Sequence, residues 1–522
     1  MKIILIQFRF TKYGKLYDAN EKSKNLNYLF PLGLPYLSAV LKRAGHDVTC
    51  LNLNHYEGTT REIIINKMGM SPAYQLAFVG GLSLFYPHLR DLIADIRIAS
   101  PETKIVCGGG IITAQPEIMM SLLKPDYAIT GEGEVSVLKL VAYLEDGVLP
   151  ETNIISSEPI TNLDALPFPD HESFNFSEYV DNISPADYFA FDVVDEPRVY
   201  PILASRSCVF GCTFCFHPIG KKYRQRSIDN IMDEIRLNIP KYRINIVTIY
   251  DEMFSDDFER MKEFCGKFKA FSDTLPYKLW FICNIRVDKA TDEMLKIMRE
   301  SGAGVISFGL ESYSQKVLNS MHKHITPKQI ANAITLVRKN GLGLQGNFIF
   351  GDPAETLETA KETLTYVHNN RHIIGTAVPL DYVAPFQGSP LYKYCVDSHI
   401  IPDEIQLIKD RELTGYPRTP INMTRMPAED FETMQDMIFA EQMTTPYVFS
   451  SVPGTVTCPS CGYISVIPNL VIPKFRPYNA GCRKCHFRFD VVSQWYPYIR
   501  KLFVILGRKN TKKLIEWKTR TI

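Results

Sequence analysis

The segment Ser207-Cys208-Val209-Phe210-Gly211-Cys212-Thr213-Phe214-Cys215-Phe216 constrains this chain more than any other. It spaces three thiols as C-x3-C-x2-C, with an aromatic residue just before the third. Cysteines this close have metal-site spacing rather than that of a disulfide framework. Three thiolates hold only three corners of a four-iron cluster, whereas [4Fe–4S] centres usually take four. The iron left over is open to a small molecule, which points to catalysis rather than electron storage. The plainer reading is a zinc site or a set of structural thiols. Gly211, Phe214 and the strand-like run before the loop argue against it.

This loop resembles the radical S-adenosylmethionine (SAM) signature. In that family the amino and carboxylate groups of SAM chelate the fourth iron, and one electron cleaves SAM to a 5′-deoxyadenosyl radical. Cys208, Cys212 and Cys215 are, by that resemblance, the catalytic cluster ligands.

At 522 residues the chain is too long for one core. Basic and acidic residues nearly cancel, giving a formal net charge of +1, so nothing global points to nucleic acid or a membrane. Seven of the twelve cysteines fall in two tight clusters. The chain begins directly with a strand-like run and shows no signal-peptide architecture. No apolar run approaches the ~18 residues of a membrane span. A reduced cytoplasm is the expected home.

Residues 1–150 alternate strand-like stretches (2–8, 47–53, 76–82, 104–108, 127–130) with helical ones such as 32–44. That order implies parallel βαβ units in a doubly wound α/β sheet, with ligands at the carboxyl ends of the strands. Those ends carry Gly80-Gly81-Leu82-Ser83, Cys107-Gly108-Gly109-Gly110 and Thr130-Gly131-Glu132-Gly133-Glu134. Together with Pro31-Leu32-Gly33-Leu34-Pro35-Tyr36-Leu37, they resemble the cobalamin (B12)-binding domain that precedes many radical SAM barrels. The resemblance makes Ser83, Gly108, Gly109, Gly110, Gly131, Glu132 and Gly133 candidate cofactor contacts. It departs at the cobalt ligand, because no D-x-H-x-x-G stands in the first βα loop. His55-Tyr56-Glu57-Gly58 imitates only its second half, with Leu53 where the aspartate belongs, so His55 is read as an ordinary loop histidine. A plain flavodoxin-like or nucleotide domain is the alternative.

Residues 151–195 lack periodicity, and their Pro-rich stretch 163–170 reads as a linker. Residues 196–400 alternate again, with strand candidates at 200–205, 244–250, 279–287, 304–310, 344–350 and 375–384, which suggests a partial (β/α)6 barrel. The resemblance assigns work to its strand ends. Asp251 and Glu252 accept hydrogen bonds from the SAM ammonium, and Arg286 pairs with the SAM carboxylate as a planar fork. Glu311 and Ser312 bond the ribose or methionine moiety, while Ile349 and Gly351 offer an apolar edge to adenine. The run Pro385-Phe386-Gln387-Gly388-Ser389-Pro390-Leu391-Tyr392 matches a recurring element of cobalamin-dependent members. Taken singly, each charged residue would more often be a structural ion pair. Cys283 is read as an inert core thiol.

Residues 401–450 read as a helical extension and 451–522 as a separate module. Cys458, Cys461, Cys482 and Cys485 form two C-x2-C knuckles with the spacing of a structural zinc ribbon, with strands expected at 466–471 and 487–492. An additional iron centre is the alternative occupant. The last stretch, from Tyr498, is basic, with Glu516 its sole acid. It is read as a terminal helix that docks its apolar side and leaves its lysines in water, with contact to anionic lipid or nucleic acid as the alternative. If ribbon and tail help close the substrate cavity, loss of the ribbon is expected to lower methyl transfer as well.

The resemblance covers roughly residues 1–450. It implies a cobalamin-dependent radical SAM enzyme that uses SAM both as methyl donor and as radical source to methylate an unactivated carbon. A cyclisation or rearrangement without methyl transfer is the first alternative, and a cobalamin- or metal-sensing binding protein is one from another class. A methylthiotransferase would need three further cluster cysteines near the N-terminus, where only Cys50 and Cys107 stand. The expected cofactors are SAM, a [4Fe–4S] cluster, cobalamin and structural zinc, with flavodoxin or ferredoxin as electron donor. The substrate, whether small molecule, lipid or peptide, has no readable motif, and nucleic acid is not expected.

Overall fold

The computed structural model describes the chain apart from residues 13–16, 70–73, 183–192, 195, 255–256, 411–419, 451–453, 468–471, 473–476 and 521–522, with backbone alone for 510–520. Two compact units interleave along the sequence. The first comprises Met1–Asp187, Ala204–Arg243 and Pro385–Thr419. The second comprises Tyr188–Leu203, Ile244–Ala384 and Pro420–Ile522.

The first unit is built on strands β1 (Lys2–Gln7), β2 (Asp47–Asn52), β3 (Leu76–Gly80), β4 (Lys104–Gly108), β5 (Tyr127–Thr130) and β6 (Ile154–Ser156). They pair in parallel in the order β2-β1-β3-β4-β5-β6. Helices α1 (Gly33–Arg43), α2 (Thr60–Gly69), α3 (Tyr86–Ala99), α4 (Gly110–Ala114), α5 (Pro116–Leu123) and α6 (Gly133–Glu145) connect them. The strands read as unbroken apolar runs because both faces of a parallel sheet are covered. Ile4, Ile6, Val79, Leu89, Leu92 and Ile105 form one continuous core. The stretch expected to be a structureless linker contributes β6 to this sheet and a short helix, α7 (Phe176–Asp181). A three-residue strand is too short to show periodicity, so sequence pattern passes over it.

The second unit holds β7 (Val199–Ile202). The chain then returns to the first unit for a small hairpin, β8 (Ser205–Arg206) and β9 (Arg224–Gln225), and for α8 (Ile228–Tyr242). In the second unit, β10 (Ile246–Ile249), α9 (Phe258–Ser272), β11 (Trp280–Asn284), α10 (Asp292–Glu300) and β12 (Ala303–Glu311) lead to α11 (Gln315–Ser320) and α12 (Pro327–Lys339). Then come β13 (Gly343–Phe350), α13 (Leu357–Asn369), α14 (Arg371–Ile374) and β14 (Leu380–Tyr382). Strands β7 and β10–β14 form one parallel sheet in sequential order, the arrangement of an open (β/α)6 barrel. Local chemistry starts its helices: Thr326 caps α12 in a reciprocal box with Gln329, with Pro327 at the first turn. The rings of Phe254, Phe264, Phe268 and Phe281 pack edge-on in a core beside β11.

After α15 (Pro390–Asp397) and α16 (Glu404–Asp410) in the first unit, the second unit resumes with α17 (Ala428–Gln442). Two small hairpins follow. One is β16 (Thr455–Thr457) with β17 (Ile464–Val466), and the other is β18 (Tyr478–Gly481) with β19 (Arg488–Val492). Strand β15 (Tyr447–Phe449) pairs alongside β19. The first ribbon strand lies at Ile464–Val466 rather than at 466–471, of which residues 468–471 are outside the described part. The chain ends in α18 (Tyr496–Arg520), broken at Gly507.

Candidate functional site

In the first sheet the strand order reverses between β1 and β3, and the crevice above such a switch point is where open α/β sheets take ligands. Its edges are the turns after β1, β3, β4 and β5. The turns after β3 and β4 touch backbone to backbone. Gly109 has φ of +82°, and a Cβ there would lie 2.9 Å from the Gly81 carbonyl oxygen. The Ile111 amide donates to that same carbonyl. A side chain at Gly109 would therefore pry the two turns apart. Ser83 is buried just beyond the β3 turn. His55 is engaged elsewhere: Tyr28 Oη lies 2.8 Å from its Nε2 and Glu178 Oε2 lies 2.9 Å from its Nδ1. Both ring nitrogens are occupied and burial lowers its pKa, so His55 is a buried bridge rather than a solvent-facing loop residue.

The three-cysteine loop closes at its base through the antiparallel pair β8–β9, with Arg206 opposite Arg224. Both arginines reach the turn after β5. Arg206 binds Glu132 at 3.0 Å and Glu134 at 2.5 Å, and Arg224 binds Glu132 at 2.7 Å. Arg224 also donates to the Ile160 carbonyl, and the Ile160 amide donates to Glu132. Burial alone would raise the Glu132 carboxyl, but hydrogen bonds from Arg224 and Ile160 and the charge of Arg206 hold it below its ordinary value. Burial likewise opposes the Arg206 charge, and Glu134 and Glu132 more than offset it. A buried ion pair persists where such hydrogen bonds complete it. Glu132, expected to meet the cofactor, thus has its carboxylate committed to the cysteine loop.

The far end of the loop is pinned as well. Phe216 sits in a slot where Cβ atoms on Gly110 or Gly388 would collide with its ring. The Leu391 amide donates to the Thr213 carbonyl at 2.8 Å, and the Cys215 amide donates to that of Cys212. Gln387 donates to Gln115 at 2.7 Å, tying the run 385–392 to the start of α5. Cys212 is buried and Cys208 and Cys215 are half-buried. The loop is therefore shielded yet partly open, and it is held by the switch-point unit at both ends. Arg206, Arg224 and the slot for Phe216 were not legible as site residues, because their partners lie tens of residues away. The arginines bracketing the cysteine run were the only available signal.

In the second unit the predicted contacts do gather at the carboxyl ends of the strands. Asp251 is buried after β10 and Glu252 is exposed. The Asn284 side chain donates to the Asp251 carbonyl and the Phe254 amide to that of Asn284, tying these two strand ends together. Arg286 donates from Nε to Asp288 at 2.8 Å and from Nη2 toward the carbonyls of Lys323 and His324. Glu311 lies at a bulge with φ of +61° and accepts from Lys323 at 2.7 Å. A positive φ on a side-chain-bearing residue stores strain, which here aims Glu311 across the strand end. Ser312 bonds Thr363 and caps the Ser314 amide. Ile349 is half-buried, and Gly351 turns the chain after β13 with φ of +99°. Just beyond it Asp352 and Glu355 are both buried, and burial pushes the Glu355 carboxyl up to about 7. Sequence reading passed over Lys323, Asp352 and Glu355. Cys283 is buried, and burial raises its thiol well above the ordinary value, which suits an inert core residue.

The four C-terminal cysteines converge, all four sulfurs within 4.8 Å of one another. Cys458 and Cys485 are 3.8 Å apart, and Cys461 and Cys482 are 3.6 Å apart. Sulfurs about 3.8 Å apart are what ~2.3 Å bonds to a tetrahedral metal require. Each C-x2-C turn closes a hairpin and is followed by a left-handed residue, Gly462 in one and His486 in the other. The second knuckle packs against the start of the barrel strands. His486 meets Trp280 edge-on and lies 3.1 Å from Arg299, Arg338 stacks on Phe487, and the Thr376 amide donates to Arg488. Trp280 and Gly343 open β11 and β13, so the module covers the amino-terminal ends of the strands, opposite Asp251, Arg286 and Glu311. The ribbon therefore lies away from the carboxyl ends of the strands.

Comparison with known proteins follows the same division. Residues 24–141 match the B12 binding domain, and residues 202–367 match the Radical SAM superfamily. An uncharacterized methyltransferase of Pyrococcus horikoshii is 26% identical over 397 residues, covering 71% of this chain and 79% of that protein. Cytidylyl-2-hydroxyethylphosphonate methyltransferase of Streptomyces wedmorensis is 25% identical, covering 75% and 82%. The radical S-adenosylmethionine methyltransferase TsrM of Kitasatospora setae shares the fold, with a TM-score of 0.58 at 17% identity and 76% of each chain covered. The switch-point sheet, the three-cysteine loop and the open barrel place this chain among the cobalamin-dependent radical SAM enzymes.

Proposed function

We propose that the chain is a C-methyltransferase acting on an unactivated carbon. The observation that carries this reading is the anchoring of the three-cysteine loop, at both its base and its exit, to the unit that bears the switch-point crevice. When bound, the cluster supplies the electron that turns SAM into a hydrogen-abstracting radical, and cobalamin supplies a methyl carrier. Cys208, Cys212 and Cys215 hold the cluster and leave one iron for SAM. Asp251, Glu252, Arg286, Glu311, Ser312, Ile349 and Gly351 would hold SAM, with the Arg286 guanidinium available to its carboxylate. Ser83, Gly108, Gly109, Gly110, Gly131 and Gly133 line the crevice for cobalamin, and the Glu132 carboxylate serves the loop. In this reading cobalt takes no histidine ligand from the chain, and His55, the residue nearest to the histidine motif, has both nitrogens engaged elsewhere.

In this reading the modules divide as 1–150, 151–195, 196–400, 401–450 and 451–522, and a flavodoxin or ferredoxin delivers the electrons. Zinc fills the four-cysteine site. Four thiolates leave no open position, so the metal stabilises the fold and touches no substrate.

The test is incubation of the reduced, cobalamin-loaded enzyme with methyl-deuterated SAM and a metabolite extract. The proposal expects 5′-deoxyadenosine, S-adenosylhomocysteine and a product carrying the labelled methyl group. Deoxyadenosine with an unlabelled, rearranged product would replace methyl transfer by cyclisation.

A further inference from the structure

The C-terminal helix half-buries Ile499, Phe503 and Leu506 on one side and leaves further apolar residues exposed on another. One side of α18 before the break lies on the ribbon and α17. There Tyr496 is 7% exposed against Tyr447 and Arg500 donates to the Thr445 carbonyl, and just past the break Arg508 and Lys509 pair with Asp436 and Glu432 of α17. The opposite side carries Tyr498 at 70%, Leu502 at 45% and Ile505 at 80% exposed, with Trp495 at 61% one turn earlier. The spacing 498, 502, 505 sets these side chains on one stripe. A stripe of large apolar residues in water marks an interaction surface.

Charge names the kind of surface. The chain as a whole has a formal net charge of +1. Its last stretch nevertheless carries Arg500, Lys501, Arg508, Lys509, Lys512, Lys513, Lys518 and Arg520 against Glu516 alone. Two of the three tryptophans of the chain, Trp495 and Trp517, belong to the same stretch. No helix among the described residues is long and apolar enough to cross a membrane. An exposed apolar stripe on a stretch whose sequence is this basic suits a helix lying in the headgroup layer.

We propose that the first half of α18, through Trp495, Tyr498, Leu502 and Ile505, docks the enzyme on an anionic lipid surface. This inference is independent of the methyl-transfer reading. The probe is the full-length, cluster-loaded protein sedimented with vesicles of phosphatidylcholine alone and of phosphatidylcholine mixed equally with phosphatidylglycerol. Binding is expected to the anionic vesicles, with a blue shift of tryptophan emission, and to weaken as added salt screens the charges. The double substitution Leu502→Glu and Ile505→Glu is expected to weaken binding about tenfold or more. Both side chains face water, so the variant keeps its fold and its SAM cleavage.

Wild-type protein that stays in the supernatant with both vesicles would overturn the proposal. So would sedimentation that the double substitution leaves unchanged. A wild-type dimer that the same substitution turns into a monomer, without vesicle binding, would assign the stripe to a second copy. Single-stranded nucleic acid bound in place of vesicles would assign it to that polymer.

Discussion

The two cysteine clusters of this chain solve opposite problems. The C-terminal four close on themselves, because each pair sits in the turn of its own hairpin and the four sulfurs already meet at tetrahedral spacing. The three of the first cluster sit on a loop whose own ladder is only two residues long. They are held from outside, by Glu132 and Glu134 on one side and by the Phe216 slot on the other. A closed site needs only its own turns, whereas a site that must leave a metal position open needs support from neighbouring structure. The open loop is therefore built into the cofactor-binding unit, and the closed one is set at the inert end of the barrel strands.

The largest effect that separates the two is loss of the open site. Changing Cys208, Cys212 and Cys215 to Ala is expected to abolish SAM cleavage and remove the four-iron cluster while the C-terminal metal stays. Iron and zinc analysis on the same sample checks this. Iron at twice the single-cluster level in the wild type would put a cluster in the ribbon instead.

Breaking the closed site is expected to act on folding alone. If zinc fills that site as proposed, Cys458→Ser with Cys482→Ser would remove it and, with it, most of the free energy that folds the two hairpins. Hydrogen exchange should show loss of protection over residues 454–492, with iron content and SAM cleavage retained. A variant that keeps its cluster spectrum but cleaves no SAM would tie the module to the chemistry.

The outside support should reveal itself in the next effect. Arg224 and Glu132 are buried at 4% and 2% side-chain exposure. Arg224→Ala leaves that carboxylate short of a partner, a loss of about 3–5 kcal/mol. Thermal unfolding and cluster retention should fall together, and Glu132→Ala added to Arg224→Ala should recover part of the loss. Two additive losses would mean that the pair is not coupled.

The smallest effect concerns the buried carboxyl at the mouth of the barrel. The folded pKa of Glu355 is raised, mainly by burial, to about 7 against an ordinary 4.5. A raised carboxyl favours the folded state at low pH, and that contribution is lost as pH climbs from about 4.5 through 7. Glu355→Gln should therefore raise the melting temperature slightly at pH 8 and leave it nearly unchanged at pH 4. Equal shifts at both pH values would contradict the assignment.

Much of this architecture was readable in the chain. Apolar runs at 104–108 and 127–130 coincide with β4 and β5, because a parallel strand buried on both faces leaves a continuous signature. The run at 375–384 was read too long: its first residues meet Arg488 of the ribbon rather than the neighbouring strand. Pattern alone does not distinguish those two forms of burial. The strand-end glycines were legible as necessary, but at Gly109 much of the reason is the approach of another turn. The arginine clamp was hidden because Arg224 and Glu132 are 92 positions apart. In the tail five consecutive apolar residues, Leu502 to Leu506, name no single face, and only packing decides which of them turns outward.

The most direct test of an open first cluster beside a closed second one is electron paramagnetic resonance of the reduced protein with and without SAM. The wild type and the Cys458→Ser, Cys482→Ser variant should show one four-iron signal, shifted alike when SAM is added. A signal indifferent to SAM, or a shift that disappears in the ribbon variant, would contradict the account.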